Sequence, residues 1–383
     1  MVEAVRRGCS QHEVAHQFHV SQATVHYWVQ HAHGQRLERV DWYDRSRRPH
    51  QLQRTAADIE DLVLQTRRQL QHSDLGFWGA QAIHAELVAH DVHPLPAVRT
   101  INRILRRRGV LDGQQRVRRQ PPPPGWYLPP LAAKQMELDS FDIVEGLVIQ
   151  DGPQVEVLNG LSLHGGLVVS WPQQASVTAD VVVQALPEHW RAFGLPGYAQ
   201  FDNDMVFQGS YAHPNLLGRV TRLCLSLAVV PVFVPPREPG FQAAMENYNG
   251  NWQAKVWARF HHETLQDLQT RSERYQEALR RHRAARQEAA PCRRPFPRRW
   301  RWRPEARVHG RVIYLRRTDG VGAVQLLGQT FAVDAHWLHR LVRAEVNLDR
   351  NRIDFYRLRR REPKDQPLIK TIKHKIPQQW VDD

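Results

Sequence analysis

Tyr198-Ala-Gln-Phe-Asp202-Asn203-Asp204 is the stretch on which the fold turns. It reads as a short buried strand that ends in acidic and amide side chains. In an α/β sheet, ligands and metals gather at the carboxyl ends of strands, where the chain leaves the core. Two other carboxylates interrupt apolar patterns: Asp139, in Met136-Glu-Leu-Asp-Ser-Phe-Asp-Ile-Val144, and Glu246, in the amphipathic run 241–260. Working outward, the spacing predicts strands at 136–144, 154–161 and 166–171, then a helix at 177–193 and the strand 198–201. A helix at 214–228, a strand at 229–234 and the helix 241–260 follow. Three strands in a meander, then alternating helix and strand, predict a mixed sheet with helices on its faces.

Composition sets the outer bounds. With 383 residues, the chain is long enough for two to four domains. No apolar run approaches the ~20 residues of a membrane span, and Met1-Val-Glu-Ala-Val-Arg-Arg-Gly lacks the apolar core of a signal peptide. Cys9, Cys224 and Cys292 have no paired spacing, which argues against a disulfide scaffold and fits a reducing cytoplasm. The formal charge of +14 implies a polyanionic partner, with nucleic acid the default.

Residues 1–50 are expected to form a helix-turn-helix module. Ser10 is placed to cap a helix carrying Val14, Ala15 and Phe18, and Ser21 caps a second helix with Val25, Trp28 and Val29 on one face. The second helix of such a pair enters the major groove, so Gln22, Thr24, His26 and Tyr27 are the candidate DNA contacts. His12-Glu-Val-Ala-His16 has the H-E-x-x-H spacing of a zinc site. The glycine turn of an extended site does not follow it, and no zinc is expected.

Residues 51–119 hold a second module of this kind, with helices at 56–70, 79–89 and 97–108. The last carries Val98, Ile101, Ile104 and Leu105 on one face and Arg99, Arg103, Arg106 and Arg107 elsewhere, a basic helix suited to DNA. The proline run in 120–133 predicts a stiff linker. The α/β core spans 134–262. In 263–307 a charged helix leads into an arginine-rich segment in which Arg298, Arg299 and Arg301 flank Trp300, chemistry suited to phosphates and exposed bases. Short β-type runs in 308–383 predict a small barrel followed by a tail.

Taken together, these motifs resemble the ribonuclease-H-like catalytic core of DDE transposases and retroviral-type integrases, in particular bacterial insertion-sequence transposases with N-terminal helix-turn-helix modules. Leu138-Asp139-Ser-Phe-Asp resembles the first Asp of that family, and Gln200-Phe-Asp202-Asn203-Asp204 its Asp-Asn-Gly motif. Pro239-Gly-Phe-Gln-Ala-Ala-Met-Glu246-Asn-Tyr-Asn resembles the turn and helix that bear its Glu. The resemblance implies an α/β ribonuclease-H-like core, preceded by all-α modules and followed by an SH3-like β-barrel. It also implies Asp139, Asp202 and Glu246 as catalytic residues and ligands of two Mg²⁺ (or Mn²⁺) ions. The implied activity is cleavage and strand transfer on double-stranded DNA, at the terminal inverted repeats of an element and at target DNA. A homo-oligomer on DNA and a cytoplasmic, nucleoid-associated location are implied as well.

Three departures and rivals bear on that assignment. Asp204 stands where the family has glycine. Glu238 is a rival third ligand, but flanking prolines keep it out of a helix. Asp142 is a rival to Asp139 and, three residues on, points to the other face of the strand. The alternative function is a non-catalytic, transposase-derived DNA-binding regulator; a nuclease acting on RNA–DNA hybrids is a further one, which would not need two DNA-reading modules.

Overall fold

The computed structural model describes residues 1–43, 55–111, 124–149, 152–209, 212–238 and 240–379. The chain divides into two compact units, 1–57 and 58–383.

The first unit holds α1 (Val2–Arg6), α2 (Gln11–Gln17) and α3 (Gln22–His31). Both expected caps are present. Ser10 and Glu13 form a reciprocal capping box, with Glu13 N–H donating to Ser10 Oγ at 3.2 Å and Ser10 N–H to Glu13 Oε2 at 3.0 Å. Ser21 Oγ accepts from Thr24 N–H at 3.1 Å. His19, at φ 51°, turns the chain between the helices, and Val14, Ala15 and Val25 are buried where they pack. Glu13 is therefore a capping residue within the H-E-x-x-H run.

The second unit opens with α4 (Ala57–His72), α5 (Ala80–Ala89) and α6 (Val98–Arg107), close to the expected bounds. Val63, Ile83, Leu87, Ile101, Ile104 and Leu105 form their common core. This helical group docks on the rest of the unit. The Lys255 ammonium lies 3.5 Å from the centre of the Trp78 ring. Arg259 donates to the carbonyls of Ser73 and Gln71, both at 2.8 Å. The prolines Pro121–Pro123 of the expected linker lie outside the described residues. Its described end is no spacer, because Trp126, Tyr127 and Leu128 are buried, as is Leu131 of α7 (Pro129–Ala132). Aromatic and leucine side chains gain more by burial than a solvated linker would allow.

Then come β1 (Leu138–Val148), β2 (Gln154–Ser162), β3 (Val168–Gln174), α8 (Ala179–Phe193), β4 (Tyr198–Phe201), α9 (Met205–Gln208), α10 (Arg219–Ser226), β5 (Val230–Phe233) and α11 (Ala243–Trp252). The chain continues through α12 (Leu265–His282), α13 (Ala284–Glu288), β6 (Arg311–Arg317), β7 (Ala323–Leu326), β8 (Gln329–Ala332), β9 (Leu341–Asn347), β10 (Arg352–Arg357) and β11 (Leu368–Lys373). The main sheet runs β11-β10-β9-β6-β5-β4-β1-β2-β3. β1, β2 and β3 are an antiparallel meander, and β4 and β5 run parallel to β1 and β4 respectively, so the expected mixed sheet with helices is present.

The expected C-terminal barrel takes another form. β6 pairs parallel with β5 through Val232–Ile313 and Phe233–Tyr314, and β9, β10 and β11 extend the same sheet. Among the described residues, only the strands β7 and β8 pair apart from it. A buried β5 with an open edge would leave backbone groups without partners, and β6 supplies them. Local strand signals cannot reveal such a distant pairing.

The two faces of β1 carry different cargo. Phe141 packs with Leu186, Trp190 and Phe201 on one side. Val144 and Leu147 pack with Met245, Tyr248 and Trp252 of α11 on the other. No helix among the described residues is long and apolar enough to cross a membrane.

Candidate active site

β1 and β4 run parallel in the register Leu138–Tyr198, Asp139–Ala199 and Ser140–Gln200. Continued by two residues, that register sets Asp142 level with Asp202, just past the end of β4. Residues two apart on a strand share a face, so Ser140, Asp142 and Val144 look toward α11 whereas Asp139 and Phe141 look toward α8.

Hydrogen bonds fix α11 over that face. Gln242 Nε2 reaches Phe141 O at 3.4 Å, and Asn249 Nδ2 donates to Asp142 Oδ2 at 2.7 Å. Glu246 lies one turn after Gln242 and almost one turn before Asn249, so it shares their face above Asp142. Asn249 is held in turn. Asn159, fully buried opposite Asp142 on β2, donates to Asn249 Oδ1 at 2.9 Å and accepts from Ser170 Oγ at 2.5 Å; Ser170 lies 2.8 Å from the Tyr248 hydroxyl. Gln200 braces the other end, bonding Ser140 Oγ at 3.3 Å, Phe241 O at 3.2 Å and the Tyr127 hydroxyl.

The electrostatics mark Asp142. Burial pushes its carboxyl up to about 6, and the charges of Asp202 and Glu246 add to that, overcoming the Asn249 hydrogen bond. Burial also raises the Asp202 carboxyl; the Asp204 N–H, which donates to it at 3.0 Å, opposes this, and the Asp204 charge adds to it. Among the described residues no cation forms a salt bridge with Asp142, Asp202 or Glu246.

Asp139 is placed elsewhere. It is 1% exposed and accepts bonds from Arg293 Nη1 at 2.8 Å, Arg293 Nη2 at 2.5 Å and Trp190 Nε1 at 3.0 Å, with His189 Nε2 at 3.4 Å. Burial alone would raise this carboxyl; Arg293, with help from His189, holds it well below the usual range. The structure thus brings Asp202 and Glu246 together with Asp142, and it commits Asp139 to a buried ion pair on the opposite face. Glu238 is ion-paired to Arg317 and Arg360.

Asp204 has φ −62° and caps α9, with Val206 N–H donating to its Oδ1 at 2.8 Å. That backbone conformation has no need of the glycine's freedom. Asn203 is clamped between Val234 O at 2.7 Å and Arg316 Nη2 at 2.9 Å. Asn249, Asn159, Gln242 and Arg316 were not singled out by sequence. Asn249 had a usable signal, three residues after Glu246 on the same helix.

The remaining candidates divide by exposure. Gln22, His26 and Tyr27 are exposed, whereas the Thr24 hydroxyl lies 2.8 Å from Ser21 Oγ in the cap. Arg99, Arg103 and Arg106 are exposed; Arg107 is ion-paired to Glu60. Arg298, Arg299 and Arg301 are exposed, but Trp300 packs on the core, donating to Ser226 Oγ at 3.2 Å under the Arg191 guanidinium.

Among the described residues no three His, Cys, Asp or Glu side chains stand close enough together to hold a metal ion as they are. The donor set of Asp142, Asp202 and Glu246 nonetheless suits a hard divalent cation, which takes carboxylate oxygens and keeps part of its water. Two carboxyls raised by burial and by neighbouring acids are what an added positive charge relieves.

The chain matches no known protein family by sequence and no curated protein. Among solved structures it is similar to the catalytic core domain of BIV integrase, at 19% identity over 35% of this chain and 79% of that one, TM-score 0.27. A chain of the simian T-cell lymphotropic virus intasome in complex with PP2A regulatory subunit B56 gamma matches at 14% identity over 68% and 84%, TM-score 0.32. The HTLV-2 integrase catalytic core domain in complex with magnesium matches at 12% identity over 35% and 82%, TM-score 0.24. At such TM-scores these likenesses carry no weight on their own.

Proposed function

We propose that the chain is a DNA strand-cleaving and strand-joining enzyme of the transposase and integrase type, with a ribonuclease-H-like core and with Asp142, Asp202 and Glu246 as its catalytic acids. This differs from the expectation drawn from sequence by one residue, Asp142 in place of Asp139. The observation that carries it is the electrostatic coupling of Asp142 to Asp202 and Glu246, from three separate elements, on the face closed by α11.

Asp142 and Asp202, from adjacent strands, would hold Mg²⁺ or Mn²⁺ from below, and Glu246 from above. Ions so bound supply Lewis-acid stabilisation of the attacking and leaving oxygens in an in-line displacement. Asn249 orients the Asp142 carboxylate. Asn203, clamped by Val234 and Arg316, fixes the loop that carries Asp202. Gln22, His26 and Tyr27 of the first unit, with Arg99, Arg103 and Arg106 of α6, serve DNA recognition. Arg298, Arg299 and Arg301 contact phosphates. Assembly as a homo-oligomer on paired DNA ends belongs to the same reading.

A non-catalytic DNA-binding regulator is the second reading, favoured by one observation: among the described residues no three acids stand at ligating distance. The test is metal-dependent nicking and joining of labelled duplex DNA carrying the sequences that flank the gene. Wild type is expected to cut with Mg²⁺ or Mn²⁺, and Asp142→Asn, Asp202→Asn and Glu246→Gln to be inert. Cutting by Asp142→Asn at the wild-type rate overturns the site, and DNA binding without cutting by wild type supports the regulator.

A further inference from the structure

A groove of about 800 Å³ opens beside Asn203, between the loops that follow β4 and the β7–β8 hairpin. Asn203, Gln208, Arg316, Gln325, Gln329 and Thr330 are among its polar lining, and Arg317, also in the wall, is ion-paired to Glu238. Gln325 and Thr330 face each other across the hairpin, and with Gln329 they are exposed. Its one lining carboxylate, Asp319, is occupied by the backbone N–H groups of Val321 at 3.0 Å and Ala323 at 2.8 Å.

Arg316 is the unusual member. Its guanidinium lies 5.1 Å from the centre of the Tyr314 ring and donates to Val234 O, Leu315 O and Asn203 Oδ1. Those three bonds leave two of its five N–H donors over. Among the described residues it forms no salt bridge with a carboxylate. Burial pushes it down to about 10, so it stays charged at neutral pH. A cation held by neutral oxygens alone, with donors to spare in the wall of a groove, is built to meet an anion from outside. The exposed amide and hydroxyl side chains of the hairpin match the sugar and base edges that a single strand leaves unpaired and a duplex keeps paired.

We propose that this groove takes a single nucleic-acid strand, with a phosphate on Arg316 and sugar or base edges on Gln325, Gln329 and Thr330, and so leads that strand past Asn203 to Asp202. The assignment rests on the strand-cleaving reading of the neighbouring acids and adds to it where the strand lies.

The experiment uses the full chain and a fluorescein-labelled single-stranded oligonucleotide of about 12 nucleotides, beside a duplex of the same sequence, with binding read by anisotropy. The double variant Gln325→Glu/Gln329→Glu, at exposed positions that leave the core intact, is expected to weaken single-strand binding about ten-fold and duplex binding less than about two-fold. Gln81→Glu/Gln266→Glu adds the same charge on α5 and α12, and is expected to change neither, which separates a local contact from the field of the whole protein. Wild-type single-strand affinity in the hairpin variant overturns the groove, as does an equal loss of duplex binding. The two readings fail separately: absence of cutting by wild type removes the enzyme assignment without touching the binding result, and an unaffected hairpin variant removes the groove while cleavage stands.

Discussion

Asp139 and Asp142 sit three residues apart on one strand and serve opposite faces of the sheet. One carboxylate is locked to Arg293 and Trp190, the other hydrogen-bonded to Asn249 and electrostatically coupled to Asp202 and Glu246. The first is a satisfied buried anion; the second carries unrelieved charge.

The Asp142 carboxyl rises to about 6 on folding, so its ionisation opposes the fold. Sign and window follow from linkage: the stability tied to its protonated form is fully present below about pH 4 and is lost as pH rises through 6. Asp142→Asn should therefore be more stable than wild type at pH 8, by on the order of 1–2 kcal/mol after allowance for partial exposure, and no more stable at pH 4. Urea denaturation at both pH values measures this, and equal midpoints at pH 8 would refute it.

Added Mg²⁺ should raise the melting temperature of wild type, because an ion bound to the native acids shifts unfolding by mass action. Asp142→Asn, with one charge fewer, should lose most of that rise. Calorimetry with and without Mg²⁺ reads the difference without any activity assay.

Asp139 has the opposite sign. Its carboxyl is held well below the usual range, so its contribution is present above about pH 4 and disappears as pH falls through the folded value. Replacing it with Ala strands Arg293 in the interior, and breaking such a pair costs about 3–5 kcal/mol. Asp139→Ala should accordingly unfold at far lower denaturant concentration at pH 7, with the gap narrowing in acid.

Asn159→Ala removes the group that ties Asn249 and Ser170 together beneath α11. Leaving buried polar partners unsatisfied costs about 1–3 kcal/mol, and the looser helix should lower cleavage by more than the fraction unfolded explains. Activity normalised to the folded fraction by circular dichroism tests it.

Trp78→Ala removes the ring under Lys255. A cation–π contact of this kind contributes about 1–2 kcal/mol. Faster proteolysis within residues 58–111, with the remainder of the second unit protected, is the expected result in a time course resolved by mass spectrometry.

Much of this architecture was legible in the residues. Ser10 and Ser21 announce α2 and α3 because capping is a local interaction; that Glu13 and Thr24 are their partners came from the structure. The strand at Tyr198–Phe201 is short and mostly apolar, and it ends at Asp202. Period-two alternation also showed correctly that Asp139 and Asp142 face apart. Which face α11 would cover was not readable, because that depends on the Asn159–Asn249 bond between residues ninety positions apart. Nor does anything local in Arg293 or Asp139 reveal that each is the other's partner. The pairing of β6 with β5, and the burial of Trp300 against α10, are likewise long-range outcomes of packing.

The joining of β6 to β5 also imposes an order on synthesis. Until Arg311–Arg317 leaves the ribosome, β5 has a bare edge and Asn203 lacks Arg316; until Arg293 emerges, Asp139 has no counter-ion. The strand-end loop bearing Asp202 is thus braced by residues made more than a hundred positions later. A nascent chain holds all three acids well before it holds the clamp that steadies them.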